Sequence, residues 1–192
     1  MWSALIPAAY LLGTFPSAAL VARASGVDIT TVGSGNPGAS NVSRALGWRK
    51  GVAVFVLDGL KGGAAAGLGL AVDGRAAGYG LGAAAIVGHV FPIVRRFRGG
   101  KGVATGGGVM AVLHPLVALA SMVGWIVLSR ATGRASIASI AVVGVLPLAV
   151  AVAGGPGWEV AATICLGVLV MARHLGNIRR LAERREPKLS SH

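Results

Sequence analysis

Long apolar runs separated by short polar breaks set the pattern of this chain. Trp2–Ala22 is long enough for one tilted membrane span of about 20 residues, and Pro7 and Pro16 are expected to kink it. A polar loop, Arg23–Lys50, follows. Gly51–Val72 is a second run, interrupted by Asp58 and Lys61, and Asp73-Gly74-Arg75 makes a short turn. Ala76–Val94 is a third, with Arg95, Arg96, Arg98 and Lys101 behind it. Val103–Ser129 then carries no charge for 27 residues, with His114-Pro115 near its middle. Arg130 and Arg134 flank the next turn. Ala135–Ala153 is a further run, G-G-P-G-W-E a turn, and Val160–Ala172 the last apolar stretch before a basic tail, Arg173–His192. Such runs predict an all-α, polytopic membrane protein.

Composition agrees. Apolar residues make up 54% of the chain and charged residues 12%, far from a soluble domain. The first run has no basic segment before it and more spans after it, so it is expected to be retained rather than cleaved. A net charge of +12 would suggest nucleic acid in a soluble protein. Here the cations sit in short loops with few aromatics, so orientation and anionic ligands explain them better. The lone Cys165 excludes an internal disulfide and reads as a small core hydrophobe.

Charge also orients the chain. With the N-terminus outside, three crossings place 23–50 inside, 73–75 outside and 95–101 inside. One straight span over 103–129 would leave Arg130 and Arg134 outside, against the positive-inside rule. A hairpin with short arms, broken near His114-Pro115, returns both ends to the cytoplasmic side. Its first arm, Val103–Leu113, spans about 16 Å at helical rise, too short to cross. Counting both arms, seven helices form a single integral-membrane domain over 1–192, with Arg75 alone of the 18 Lys and Arg outside.

The polar loops carry the candidate chemistry. V-G-S-G-N-P-G-A-S-N-V-S-R-A-L-G, Val32–Gly47, sets Ser34, Gly35, Asn36, Gly38, Asn41 and Arg44 close together. Asn36-Pro37 reads as an N-cap and first helical position, so a short helix is predicted to reach Leu46. A glycine turn feeding a helix N-terminus suits an anion; a structured turn between spans fits the stretch equally well. R-F-R-G-G-K-G-V-A-T, Arg96–Thr105, places Lys101 among Gly99, Gly100 and Gly102, which allows close backbone approach and a mobile charge. R-A-S-I-A-S offers Ser136 and Ser139 on one helical face, for packing or for a site. R-H-L-G-N-I-R-R-L spaces His174, Asn177 and Arg180 on successive turns. Asp58 and Lys61, three apart within a span, read as a mutual pair, with site electrostatics as the alternative; the role of His89 stays open. His114 is expected to break the helix with Pro115. Abundant glycine and alanine, as in 64–69 and 81–85, predict close helix packing.

Absences narrow the class. No histidines and carboxylates have metal-site spacing, no H-x4-D acyltransferase signature occurs, and no G-x-S-x-G elbow exists. Asp73-Gly74 is not followed by the aspartates of the CDP-alcohol phosphotransferases.

Taken in order, G-S-G-N-P-G-A-S-N-V-x-R-A-L-G, L-D-x-x-K-G, G-H-x-F-P, G-G-K-G-V-A-T, A-S-x-A-S and H-x-x-N-I-x-R-L before a tail glutamate resemble the bacterial acyl-phosphate:glycerol-3-phosphate acyltransferase family over essentially the whole chain. Glu186, in A-E-R-R-E, stands where the family ends on a T-G-x-E-like motif. The resemblance implies a seven-helix enzyme of the bacterial inner membrane that makes lysophosphatidic acid for phospholipid synthesis. It implies acyl phosphate as donor, glycerol 3-phosphate as acceptor, no metal or other cofactor, and a functional link to an acyl-phosphate-producing enzyme. Ser34, Lys101, Ser139 and His174 are then the expected catalytic residues. Gly35, Asn36, Gly38, Asn41, Arg44, Gly99, Gly100, Gly102, Asn177 and Arg180 are the expected binding residues, all on the cytoplasmic face. The hydroxyl proton goes to His174 or to a substrate phosphate; the phosphate is favoured, because no carboxylate is placed to orient the imidazole. A transporter for a phosphorylated solute is the rival reading, supported by broken helices and glycine turns.

Overall fold

The computed structural model describes residues 1–189; Ser190–His192, the end of the basic tail, lie outside the described residues. Among the described residues all regular structure is helical. After a 3-10 turn at Trp2–Leu5 come α1 (Ile6–Gly13), α2 (Ser17–Arg23), α3 (Ala39–Leu46), α4 (Trp48–Val90), α5 (Val103–Leu113), α6 (Pro115–Thr132), α7 (Ala135–Val152), α8 (Gly157–Ala172) and α9 (Leu175–Ala182). Four helical stretches are long and apolar enough to cross a membrane, or five if α8 and α9, bent by 56°, count as one. α4 is itself two arms. Asp73 and Gly74 leave helical geometry, Gly74 at φ 73°, and the chain doubles back, Gly69 against Ala77 and Gly78 against Ala66. The polytopic all-helical expectation holds.

Several details differ from the sequence reading. Trp2–Arg23 counts as one candidate span, as expected, but only one of its two prolines disturbs it. Pro7 sits in the first turn of α1, where its missing N–H costs nothing, and the helix stops at Gly13 and restarts at Ser17, just after Pro16. At the break the Phe15 carbonyl accepts from Ser17 N at 3.0 Å and from Lys61 Nζ at 3.1 Å. Backbone groups loosened at membrane depth need such partners. The second hairpin arm is not short either: α6 has 18 residues, about 27 Å at helical rise. The break itself lies where expected, His114 (φ −140°, ψ 71°) preceding Pro115. Cys165 is exposed on the exterior rather than in the core, consistent with an apolar helix surface facing lipid.

The described residues form two compact units, 1–113 and from His114 onward. In the first, α5 packs along both arms of α4. Small residues make the approach possible: a Cβ on Gly62 would overlap the Thr105 backbone, and one on Gly108 the Gly59 backbone. Arg75, in the turn between the arms, donates from Nη1 to the Leu113 carbonyl at 3.0 Å and so caps α5. In the second unit α6 packs on α7 and α7 on α8. Glu159, fully buried, meets His114 Nε2 at 2.8 Å and ties the start of α8 to the start of α6. The tail folds back on the α6–α7 turn, Leu189 N donating to Gly133 O at 2.7 Å and Arg134 Nε to Glu186 O at 3.2 Å.

Candidate active site

In the first unit, the loop after α2 is built around Asn41. This side chain is 1% exposed. Its Oδ1 accepts from Ser34 N at 3.0 Å, and its Nδ2 donates to Ile29 O at 3.2 Å and Val32 O at 3.0 Å. Gly33 is required beside it, since it has φ 59° and a Cβ there would overlap Asn41 Oδ1. Asn41 therefore shapes the loop from beneath. Upstream, Asp28 accepts from Thr30 N and Oγ1 at 2.9 and 2.8 Å, and these bonds hold its carboxyl below the usual carboxylate range. Arg44 reaches back along the same helix side, its Nη2 3.4 Å from Ser34 Oγ and 3.5 Å from Asn41 Oδ1. Ser34 is exposed; Gly35, Asn36 and Gly38 are half-buried.

The predicted helix start moves. α3 begins at Ala39 with Gly38 as N-cap, not at Pro37 with Asn36. Gly38 N donates to Asn36 O at 2.9 Å, so the chain turns tightly about Pro37 before helical geometry sets in.

The second glycine loop is seated on the end of α4. Gly99 N donates to Val90 O at 3.2 Å and Gly100 N to His89 O at 3.1 Å. A Cβ on Gly100 would overlap His89 Nε2, so these glycines are needed for packing on the histidine whatever else they do. Lys101, half-buried, follows, and Gly102 at φ 88° turns the chain into α5. A small, partly open recess is lined by Pro37 from the first loop and by Gly99 and Gly100 from the second. Thr14, Ser17, Asp58, Lys61, His89 and Arg95 are the polar residues of its wall. The two loops, separated by some 60 residues of sequence, are thus brought to one place. Asp58 and Lys61 form the pair the sequence suggests, at 2.8 Å, and they line the recess as well.

The second unit gathers the other candidates. His174 is 2% exposed, with Nδ1 2.8 Å from Val170 O. That carbonyl fixes Nδ1 as the protonated nitrogen of the neutral ring. The imidazole is therefore oriented by backbone one turn earlier rather than by a carboxylate. Asn177 Nδ2 donates to Glu186 Oε1 at 2.6 Å and Arg180 Nε to Glu186 Oε2 at 2.8 Å. Burial pushes the Glu186 carboxyl up, but the hydrogen bonds from Asn177 and Arg180 and the charge of Arg180 outweigh it and hold it below the usual range. Ser139, 5% exposed, accepts from Trp125 Nε1 at 2.9 Å. Among the described residues no group of three or more His, Cys, Asp or Glu is arranged to hold a metal ion. Sequence reasoning gave no role to Glu159 or Asp28. The D-x-T spacing of Asp28 and Thr30 is a readable turn signal; the pairing of Glu159 with His114 has none.

Fold and loops together define a multi-pass membrane protein with two glycine-rich polar loops. A family model described as glycerol-3-phosphate acyltransferase matches residues 3–184. A glycerol-3-phosphate acyltransferase of Thermus thermophilus is 40% identical over 98% of this chain and 94% of its own length. The protein of that name from Geobacter sulfurreducens is 41% identical over 97% of each. Among solved structures, the integral membrane glycerol 3-phosphate acyltransferase PlsY (YgiH), in its glycerol 3-phosphate form, superposes with a TM-score of 0.94 at 39% identity, covering 99% of this chain and 96% of that one. A lysophosphatidic acid form of PlsY gives 0.91, over 97% and 94%. The chain belongs to the glycerol-3-phosphate acyltransferase family. It is an acyltransferase of the membrane, and the transporter reading falls away.

Proposed function

We propose that the chain transfers an acyl group from acyl phosphate to a hydroxyl of glycerol 3-phosphate, giving 1-acyl-glycerol 3-phosphate, at the cytoplasmic face of the bacterial inner membrane with its N-terminus outside. The observation that carries this reading is the recess where the Val32–Gly47 loop and the G-G-K-G loop meet. Two glycine-rich loops, one presenting Ser34 and Arg44 and the other Lys101, supply what two phosphate-bearing substrates need. Support for acceptor and product comes from PlsY, described in glycerol 3-phosphate and lysophosphatidic acid forms.

The chemistry needs little from the protein. The donor is a mixed anhydride with an activated carbonyl. The acceptor oxygen attacks the acyl carbon, the bond from that carbon to the phosphate oxygen breaks, and phosphate departs with its electron pair. The hydroxyl proton passes to a substrate phosphate oxygen. Holding the reactants together is worth up to about 7–11 kcal/mol, and Lys101 stabilises the charge growing on the leaving phosphate. Gly35, Asn36, Gly38, Arg44, Gly99, Gly100 and Gly102 contribute the cradles, with Asn41 shaping the first. Ser139, His174, Asn177 and Arg180 keep the roles their motifs imply. An acyl-phosphate-producing enzyme is the partner this donor requires.

Purified protein should acylate glycerol 3-phosphate from palmitoyl phosphate with EDTA present, and Lys101→Ala should abolish turnover. Wild-type rates in both Lys101→Ala and Arg44→Ala would refute the cradle assignment.

A further inference from the structure

Behind the G-G-K-G loop lies a buried polar chain that the proposed reaction does not use. It begins at the break between α1 and α2, where the Phe15 carbonyl accepts from Lys61 Nζ at 3.1 Å. Lys61 pairs with Asp58 at 2.8 Å, both side chains less than 5% exposed. His89 Nδ1 stands 3.6 Å from the same Asp58 oxygen. The opposite edge of the imidazole faces Gly100, so closely that a methyl group there would collide with Nε2. The His89 carbonyl also holds the Gly100 amide. Ionisable groups are costly inside a span and persist where something depends on them. Here the chain ends one residue before Lys101.

We infer that Asp58, Lys61 and His89 are positioning residues that fix where the G-G-K-G loop presents Lys101. Lys61 anchors Asp58 to the helix break, Asp58 holds the imidazole, and the imidazole sets the height of the loop. Gly100 carries no side chain because the loop must seat directly on that ring. This rests on the reading of Lys101 as a phosphate-holding residue. A loop displaced by about 1 Å costs on the order of 100-fold in rate even when the chemistry is untouched.

The test measures kcat and KM on the monodisperse folded fraction of His89→Ala, Asp58→Asn/Lys61→Met and Gly100→Ala, beside Lys101→Arg, which keeps the charge but moves it. The paired substitution removes both buried charges at once, so neither is stranded. Gly100→Ala presses on the ring and leaves the buried charges in place, so it keeps the question answerable if the core variants do not fold. Expected is a 10- to 100-fold loss of kcat/KM per folded molecule, divided between kcat and KM as in Lys101→Arg, with His89→Gln recovering most of it. Wild-type kcat and KM with only a lowered Tm would overturn the inference, as would a division unlike that of Lys101→Arg. An unimpaired Lys101→Arg and Lys101→Ala would instead refute the role of Lys101. A requirement for a different donor would overturn only the donor assignment, since the same comparison runs with that donor.

Discussion

Replacing Asn41 with alanine tests how the first loop keeps its shape. The side chain is 1% exposed and makes three hydrogen bonds to loop backbone, to Ser34 N, Ile29 O and Val32 O. At about 1 kcal/mol net each, their loss removes about 3 kcal/mol, and the unpaired groups left behind raise the figure further. A local cost of about 3 kcal/mol multiplies the population of the opened loop about 100-fold. Hydrogen exchange read by mass spectrometry on peptides covering 29–34, in nanodiscs, reports this directly, because the Ser34 amide is itself one of the donors. Asn41→Ala should speed exchange there about 100-fold, leave α7 and α8 unchanged, and lower kcat/KM. Unchanged exchange together with lost turnover would refute the reasoning, for it would make Asn41 a substrate ligand and not the core of the loop.

Two further variants probe packing and the tail. Gly62→Ala drives a methyl group into the Thr105 backbone, an overpacking cost of about 1–3 kcal/mol. The Tm should fall by about 2–4 °C per kcal/mol, while Gly67→Ala, with nothing within 4 Å, should not lower it; equal effects would discount the close-approach argument. Because the Glu186 carboxyl is held below its ordinary value of 4.5 in the folded protein, its contribution is fully present above that pH and is lost as pH falls through the lower folded value. The protection of the 180–186 amides, taken relative to their intrinsic exchange at each pH, should therefore fall in wild type as the pH drops through that folded value. In Glu186→Gln the acid-dependent step should be missing, and a persistent step would place the titration elsewhere.

The helical runs, the break at His114-Pro115 and the close glycine packing were legible because they follow from length, apolarity and small size alone. Pro16 was legible as a disturbance, but not as a clean break, because a second donor to the Phe15 carbonyl lies 46 residues away at Lys61. Asn41 looked like a ligand because polar residues in a glycine loop suit phosphate. Its burial depends on the path of the loop around it, which no local pattern encodes. The two glycine loops could be assigned to one face by charge, yet their meeting at Pro37, Gly99 and Gly100 is a tertiary fact. His174 is oriented by a backbone carbonyl four residues earlier and not by a carboxylate, a contact any helix end can supply and no spacing advertises.

The donor decides the central claim. Purified protein in nanodiscs, with labelled glycerol 3-phosphate, is offered palmitoyl phosphate, palmitoyl-CoA and palmitoyl-acyl carrier protein in parallel, and labelled lysophosphatidate is counted. Product from palmitoyl phosphate alone is the expected result. Product from the thioesters with none from palmitoyl phosphate would contradict the account.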